Sequence, residues 1–390
     1  MESKKALPIL FAVMFLVMVG FGIIIPVLPF YAEEMGASPT QLGLLMAVYS
    51  LMQLIFAPMW GRISDRIGRK PVIMIGIIGL ALSFFLMALS TQLWMLFAAR
   101  ILGGFLSSAN MPTVMAYVAD ITTEEDRGKG MGIIGASVGL GFIFGPAIGG
   151  IFSEIDLHIP FFLSGTSALL TFFLVMFVLK ESLPLDKREG KTSERASLRE
   201  ALKGPVSILY FMQLFVSVSL AGLEATFAYF AAERAGLGTV QLGYIFMIMG
   251  FAGALVQGGL VGRLTKKFGE GFVIQLGIII SAVGFALILL VDSFTTAAVY
   301  LTIFGIGNGF IRPSISSLLT KKSTTGHGST TGFLSSFDSL GRIIGPPLGG
   351  SLFSVAVGLP YMTGIVLSVI AFLLFRFYTL QTKKLQTGAN

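Results

Sequence analysis

Twelve apolar runs, each long enough to cross a bilayer as a helix, set the first limit on what this chain can fold into. They lie at about Leu7–Phe30, Leu42–Trp60, Pro71–Leu89, Leu93–Val118, Met131–Phe152 and Pro160–Leu179. After a polar break they continue at Pro205–Ala231, Val240–Leu260, Phe272–Val291, Thr295–Leu319, Thr331–Val355 and Leu359–Phe375. Only 12% of the 390 residues are charged and 54% are hydrophobic. A soluble protein carries about 25% charged residues, so this chain has too little polar material for a water-facing surface. The first run follows Lys4 and Lys5, exceeds a signal-peptide core and lacks a small-residue cleavage site, so it reads as a retained span. With no cysteine, the chain can hold neither a disulfide nor a thiolate metal site.

The twelve runs form two sets of six. Gly141, Gly145 and Gly149, spaced four apart, return 200 positions later as Gly341, Gly345 and Gly349. Around them G-L-G-F-I-F-G-P-A-I-G-G, ending at Gly150, matches S-L-G-R-I-I-G-P-P-L-G-G, ending at Gly350. Gln41-Leu42-Gly43 returns as Gln241-Leu242-Gly243, Arg127-Gly128 as His327-Gly328, and Pro160-Phe161 as Pro360-Tyr361. Gly61-Arg62-Ile63 returns one step later, as Gly262-Arg263-Leu264. The chain therefore reads as a duplication in parallel. Residues 1–180 and 204–390 are the halves, and Glu181–Lys203 is a solvated linker in which Ser197 caps a short helix through Leu202. On a helix, glycines four apart form a seam that another backbone can approach, and Pro146 and Pro346 predict bends there. Close packing alone would also explain any single one of these glycines.

Basic residues orient the spans. Of the 27 Lys and Arg residues, all but Arg100, Arg234, Arg312 and Arg342 lie at the termini, in the linker or in loops after even-numbered spans. By the positive-inside rule both termini face the cytoplasm. The net charge of +7 is thus topological, and no nucleic-acid partner is expected.

Gly61-Arg-Ile-Ser-Asp-Arg-Ile-Gly-Arg-Lys70, between spans two and three, resembles the signature loop of the major facilitator superfamily. Gly22-Ile-Ile-Ile-Pro-Val-Leu-Pro29, Arg100-Ile-Leu-Gly-Gly104 and Gly139–Gly150 resemble three further motifs of that family, the last being its antiporter motif. The likeness is strongest to its bacterial drug:proton antiporters and tetracycline exporters. It implies an all-α polytopic fold of twelve transmembrane helices in two six-helix halves. It also implies a conformational latch at Asp65, Arg66, Arg69 and Asp120, and an antiporter motif at Gly141, Gly145, Pro146, Gly149 and Gly150. By its residues alone, the loop also reads as a topology-setting basic turn with solvated carboxylates.

Charges within spans are costly, so each faces a cavity or a partner. Glu224 is the acid in the body of span seven, and a carboxyl group in apolar surroundings can exchange a proton near neutral pH. The resemblance places an acid there in drug exporters, implicates the span-four arginine, here Arg100, in proton transfer, and places an Asp in span ten, where this chain has Asn308. Proton coupling is therefore expected at Glu224 with Arg100, Arg312 and Asp338. Two alternatives stay open: Asp338 pairs with Arg342 four residues on, and Arg312 serves either Glu224 or Asp338. His158 and His327 read as loop residues on the surface.

Phe21, Met46, Tyr49, Gln53, Asn110, Met111, Phe227, Tyr229, Phe304, Asn308 and Phe310 are the candidate substrate-binding residues. Flexible Met and flat aromatics make adaptable pockets, and an anionic Glu224 favours cations. No zinc, P-loop, nucleophile-triad or dinucleotide pattern is present, so no enzyme, cofactor or metal is expected and an ion gradient is the energy source. The reading reached is a monomeric proton-coupled multidrug antiporter in a bacterial cytoplasmic membrane, exchanging protons for small amphipathic, often cationic organic compounds. A carrier for one compound (tetracycline-type, metabolite, sugar or lipid) and a non-transporting receptor are the other readings.

Overall fold

The computed structural model describes residues 3–184, 202, 204–322 and 327–387. The helix expected from Ser197 falls outside them. Spans one to three are the helices Ser3–Glu34, Pro39–Ile67 and Arg69–Ala88. Span four is two helices, Leu93–Ser107 and Asn110–Ile121, and spans five and six are Glu124–Ser153 and Ile159–Val178. Span seven is Ser207–Ala235, and span eight runs Thr239–Leu255, through a π-helical turn Val256–Leu260, into Val261–Phe268. Spans nine to twelve are Glu270–Ile288, Phe294–Lys322, His327–Val355 and Leu359–Thr387.

Local chemistry explains the departures from uniform spans. Span four breaks at Ser108–Ala109, one turn before Pro112, whose ring removes the hydrogen bond that the Ser108 carbonyl would accept. The wider turn in span eight contains Gly258 and Gly259, which impose no side-chain packing on it. Helix continues through Pro146 and through Pro346-Pro347, so the expected bends leave no break in the secondary structure. The stretch after Gly61 is also helical: span two continues to Ile67, and Asp65 and Arg66 stand on its last turn rather than in a loop. Gly68 alone connects it to span three, at φ 106°, a backbone conformation that a side chain would strain. Gly269 does the same between spans eight and nine, at φ 81°.

Two compact units result. The first comprises Met1–Ser38, Leu44–Thr192 and Gly238–Met247, and the second Pro39–Gly43, Ser193–Leu237 and Ile248–Asn390. In the first, span one packs along span five and span six, and span three along four and six. In the second, span seven packs along eleven and twelve, and span nine along ten and twelve. The order of neighbours is the same in both. Large apolar side chains lie open on the outside, with Phe177 76% and Leu170 63% exposed. Lipid, unlike water, imposes no cost on such a surface.

Candidate functional site

Spans seven, ten and eleven bring four charges together inside the second unit. Asp338 is the hub. Its Oδ1 accepts from Arg312 Nη2 at 2.5 Å, Ser217 Oγ at 2.5 Å and Gln213 Nε2 at 3.0 Å. Its Oδ2 accepts from Arg342 Nε at 3.4 Å. Arg342 then reaches Glu224, with Nη1 3.7 Å from Oε2. The result is a relay, Glu224–Arg342–Asp338–Arg312, neutral when both acids are ionised. Of the pairings left open by the sequence, Asp338 takes both arginines, and Glu224 is paired rather than a lone anion. Ser217 and Gln213 have no charge to betray them in the sequence; only their placement on span seven, one turn apart and facing span eleven, reveals them.

Asn308 lies elsewhere in this unit. With Ser219, Ser281, Phe304 and Ser368 it lines a small pocket. Its Oδ1 and the Ser281 hydroxyl have no hydrogen-bond partner among the described residues. Phe227 and Phe310 are core side chains: Phe227 is fully buried and Phe310 packs with Val256 and Val273. Neither presents a surface to a ligand here, because an aromatic in a span packs its neighbours as readily as it lines a pocket. Tyr229, 8% exposed, stacks at a tilt on Phe353, 6.0 Å away.

In the first unit Tyr49 stands at Arg100, with Gln53 and Phe21 on Tyr49. The Arg100 guanidinium lies 4.4 Å from the centre of the Tyr49 ring, and Nε donates weakly to Leu45 O at 3.4 Å. Tyr49 shares a 2.6 Å hydrogen bond with Ser107 and accepts one from Gln53 at 3.0 Å. Phe21 meets the Tyr49 ring edge-on at 5.3 Å. Met46 is half-buried and Met111 40% exposed. Asn110 is buried with both amide atoms unpartnered among the described residues, its side chain filling the space that a Cβ on Gly76 would need.

At the predicted cytoplasmic end of this unit, Arg69 holds three elements. Nη1 donates to Asp65 Oδ1 at 2.6 Å and to Ser64 Oγ at 2.7 Å, while Nε donates to Asp120 Oδ2 at 3.0 Å. Ser182 adds a hydrogen bond to the same Asp120 oxygen at 2.9 Å. Glu181 caps span three, accepting from the backbone N–H of Arg69 at 2.8 Å and of Lys70 at 3.1 Å. A carboxylate at a helix N-terminus meets both free donors and the positive end of the helix dipole. From the sequence Glu181 and Ser182 are plain linker, because the groups they bond lie far away in the chain. Arg66 is exposed and takes no part in this cluster.

Each glycine seam lies on backbone. A Cβ at Gly145 would stand 2.7 Å from Val19 O and from Gly22 Cα; one at Gly149 would stand 2.5 Å from Ile23 O. Gly141 faces Met18 and Val19 in the same way. Gly150 and Pro146 face Thr239–Gly243, the part of span eight that belongs to this unit, where Ser153 Oγ donates to Thr239 Oγ1 at 2.6 Å. In the second unit a Cβ at Gly345 would meet Val218 O at 2.5 Å, and one at Gly349 would meet Gly222 O at 2.9 Å.

The histidines differ from expectation. His158 is not a free surface residue: its Nδ1 lies 2.7 Å from Ala88 O and 3.0 Å from Tyr31 Oη, joining the ends of spans one, three and six. His327 begins the span-eleven helix instead of lying in a loop.

A sequence model of the Major Facilitator Superfamily matches residues 10–327 and 258–389. Over 375 residues the chain is 33% identical to multidrug resistance protein 2 of Bacillus subtilis (strain 168), covering 94% of each chain. It is 28% identical over 371 residues to the quinolone resistance protein NorA of Staphylococcus aureus (strain MSSA476), again covering 94% of each. Among solved structures, the nucleoside transporter NupG superposes with a TM-score of 0.79 at 14% identity, over 97% of this chain and 99% of that one; this likeness concerns the fold alone.

Proposed function

Since the chain belongs to the major facilitator superfamily, we propose that it is a proton-coupled exporter of small amphipathic compounds, working by alternating access in a bacterial cytoplasmic membrane. Its relatives named for multidrug and quinolone resistance support the exporter reading. The observation that carries the coupling is the relay Glu224–Arg342–Asp338–Arg312.

The two acids play unequal parts. Asp338 accepts from four side chains and serves as the fixed counter-ion of both arginines. Glu224 has one ionic contact, at 3.7 Å, and no hydrogen bond among the described residues. It is the acid with lone pairs free for a proton. Protonating it removes one negative charge, releases Arg342 toward Asp338 and leaves the relay with one positive charge. A conformational equilibrium shifts only when a ligand meets its two states with different energies, and this charge change provides such a difference. A membrane potential contributes about 2.3 kcal/mol per charge per 100 mV to the exchange. The Arg69 cluster is proposed as the cytoplasmic latch, tying spans two, three and four to Glu181 and Ser182.

The test is uptake of ethidium into inside-out vesicles under an imposed pH gradient. Glu224→Gln should insert normally, because a neutral side chain is cheaper to bury, and its gradient-driven uptake should fall to that of empty vesicles. Full uptake by this variant would exclude Glu224 as the proton carrier and move the role to Asp338.

A further inference from the structure

The bodies of the spans hold two acids, Glu224 and Asp338, and three arginines, Arg100, Arg312 and Arg342. Arg312 and Arg342 are matched by the two acids within the second unit. The excess positive charge is Arg100, in the first unit, with no ion pair among the described residues. Arg100 is 7% exposed. Its Nε makes one long hydrogen bond, and Nη1 and Nη2 have no partner among the described residues. A buried cation without a counter-ion is costly to keep, unless a negative group reaches it during function.

We propose that Arg100 binds the anionic group of the transported compound. The favoured substrates are then flat amphipathic molecules bearing a carboxylate or another oxyanion, zwitterions included, rather than plain cations. The two free terminal nitrogens form a planar fork that matches a carboxylate in two parallel hydrogen bonds. Tyr49 backs the guanidinium with its ring, and its hydroxyl is fixed by Ser107 and Gln53, so the arginine is held in place before a ligand arrives. Phe21, edge-on to Tyr49, extends the aromatic surface next to that ring. The paired state of Glu224 removes the lone anion on which a preference for cations depended.

This inference rests on the exporter reading, and the experiment separates the two. Rhodamine B, which carries a free carboxylate, and its ethyl ester differ at that group alone. Their binding to the purified full chain is measured by fluorescence anisotropy at neutral pH. The unaltered chain should bind rhodamine B about tenfold more tightly than the ester, a difference of about 1.4 kcal/mol. Arg100→Gln should remove that preference by weakening rhodamine B about tenfold. Arg100→Lys should keep part of it, since the charge stays and the fork is lost. Equal binding of both dyes by the unaltered chain would overturn the proposal, as would equal weakening of both by Arg100→Gln. The comparison on the unaltered chain decides the point even where Arg100→Gln does not fold. Vesicle uptake of the dyes without a binding preference sinks the anion site alone. A binding preference without gradient-driven uptake of either dye sinks the exporter reading and leaves the anion site standing.

Discussion

Asp338 shows how much one carboxylate can organise. It accepts from Arg312, Arg342, Ser217 and Gln213, so spans seven, ten and eleven meet at its two oxygens. Replacing it by Asn leaves Arg312 beside a neutral amide and Arg342 with Glu224 alone. Asp338→Asn should therefore lower stability by about 1–3 kcal/mol, read as a fall in Tm of the purified chain. Adding Arg312→Gln should recover part of the loss, because an unpaired charge costs more than an absent pair. An unchanged Tm for Asp338→Asn would mean that water already compensates Arg312, whose side chain is 34% exposed, and that the pair does not hold the spans.

Among the elements, span five tests what its glycines are for. Gly145 faces the backbone of span one, which cannot yield as a flexible side chain does, whereas Gly139 has nothing within 4 Å of an added Cβ. Gly145→Ala should lower Tm and reduce ethidium uptake, because span one must move away along Val19–Ile23. Gly139→Ala should hold or raise Tm, since Ala favours helix over Gly by about 1 kcal/mol. Equal effects from the two substitutions would show that helix propensity, and not close approach, sets the cost. The same element logic explains the broken span four, whose interruption follows from Pro112 and leaves Arg100 and Asn110 on separate helices.

Across the whole molecule, the repeat carries an exchange of charge. The offset of one residue at Gly61 and Gly262 sets Gly68 against Gly269, Arg69 against Glu270 and Asp120 against Lys321. In the first unit Arg69 binds Asp120; in the second Glu270 binds Lys321, with Ser317 as a further donor at 3.2 Å. The two units thus build the same contact with opposite signs, on glycines of like conformation. Membrane orientation is tested on the same scale. As the chain has no cysteine, single cysteines can be introduced at the exposed positions Glu125 and Glu154. A membrane-impermeant maleimide should label Glu154→Cys in intact cells and Glu125→Cys only after permeabilisation. The opposite pattern would reverse the assigned orientation.

Membrane class, spans and duplication are legible in the order of residues alone, because hydropathy and repeat spacing are properties of the chain that burial does not rewrite. That order also makes Glu224, Asp338 and Arg100 conspicuous, since a charge in an apolar run has few reasons to be there. Which side chain pairs with which follows from the fold. Glu181 and Asp120 are 61 residues apart in number and both reach Arg69 only because span six returns the chain to the start of span three. Gln213 and Ser217 are ordinary polar residues until span eleven sets Asp338 beside them. Phe227 and Phe310 look no different in the sequence from Phe21, yet two are core and one stands edge-on to Tyr49. Composition and period say that a side chain must find a partner; distance in three dimensions selects the partner, because ionic and hydrogen-bond energies decay within a few ångströms.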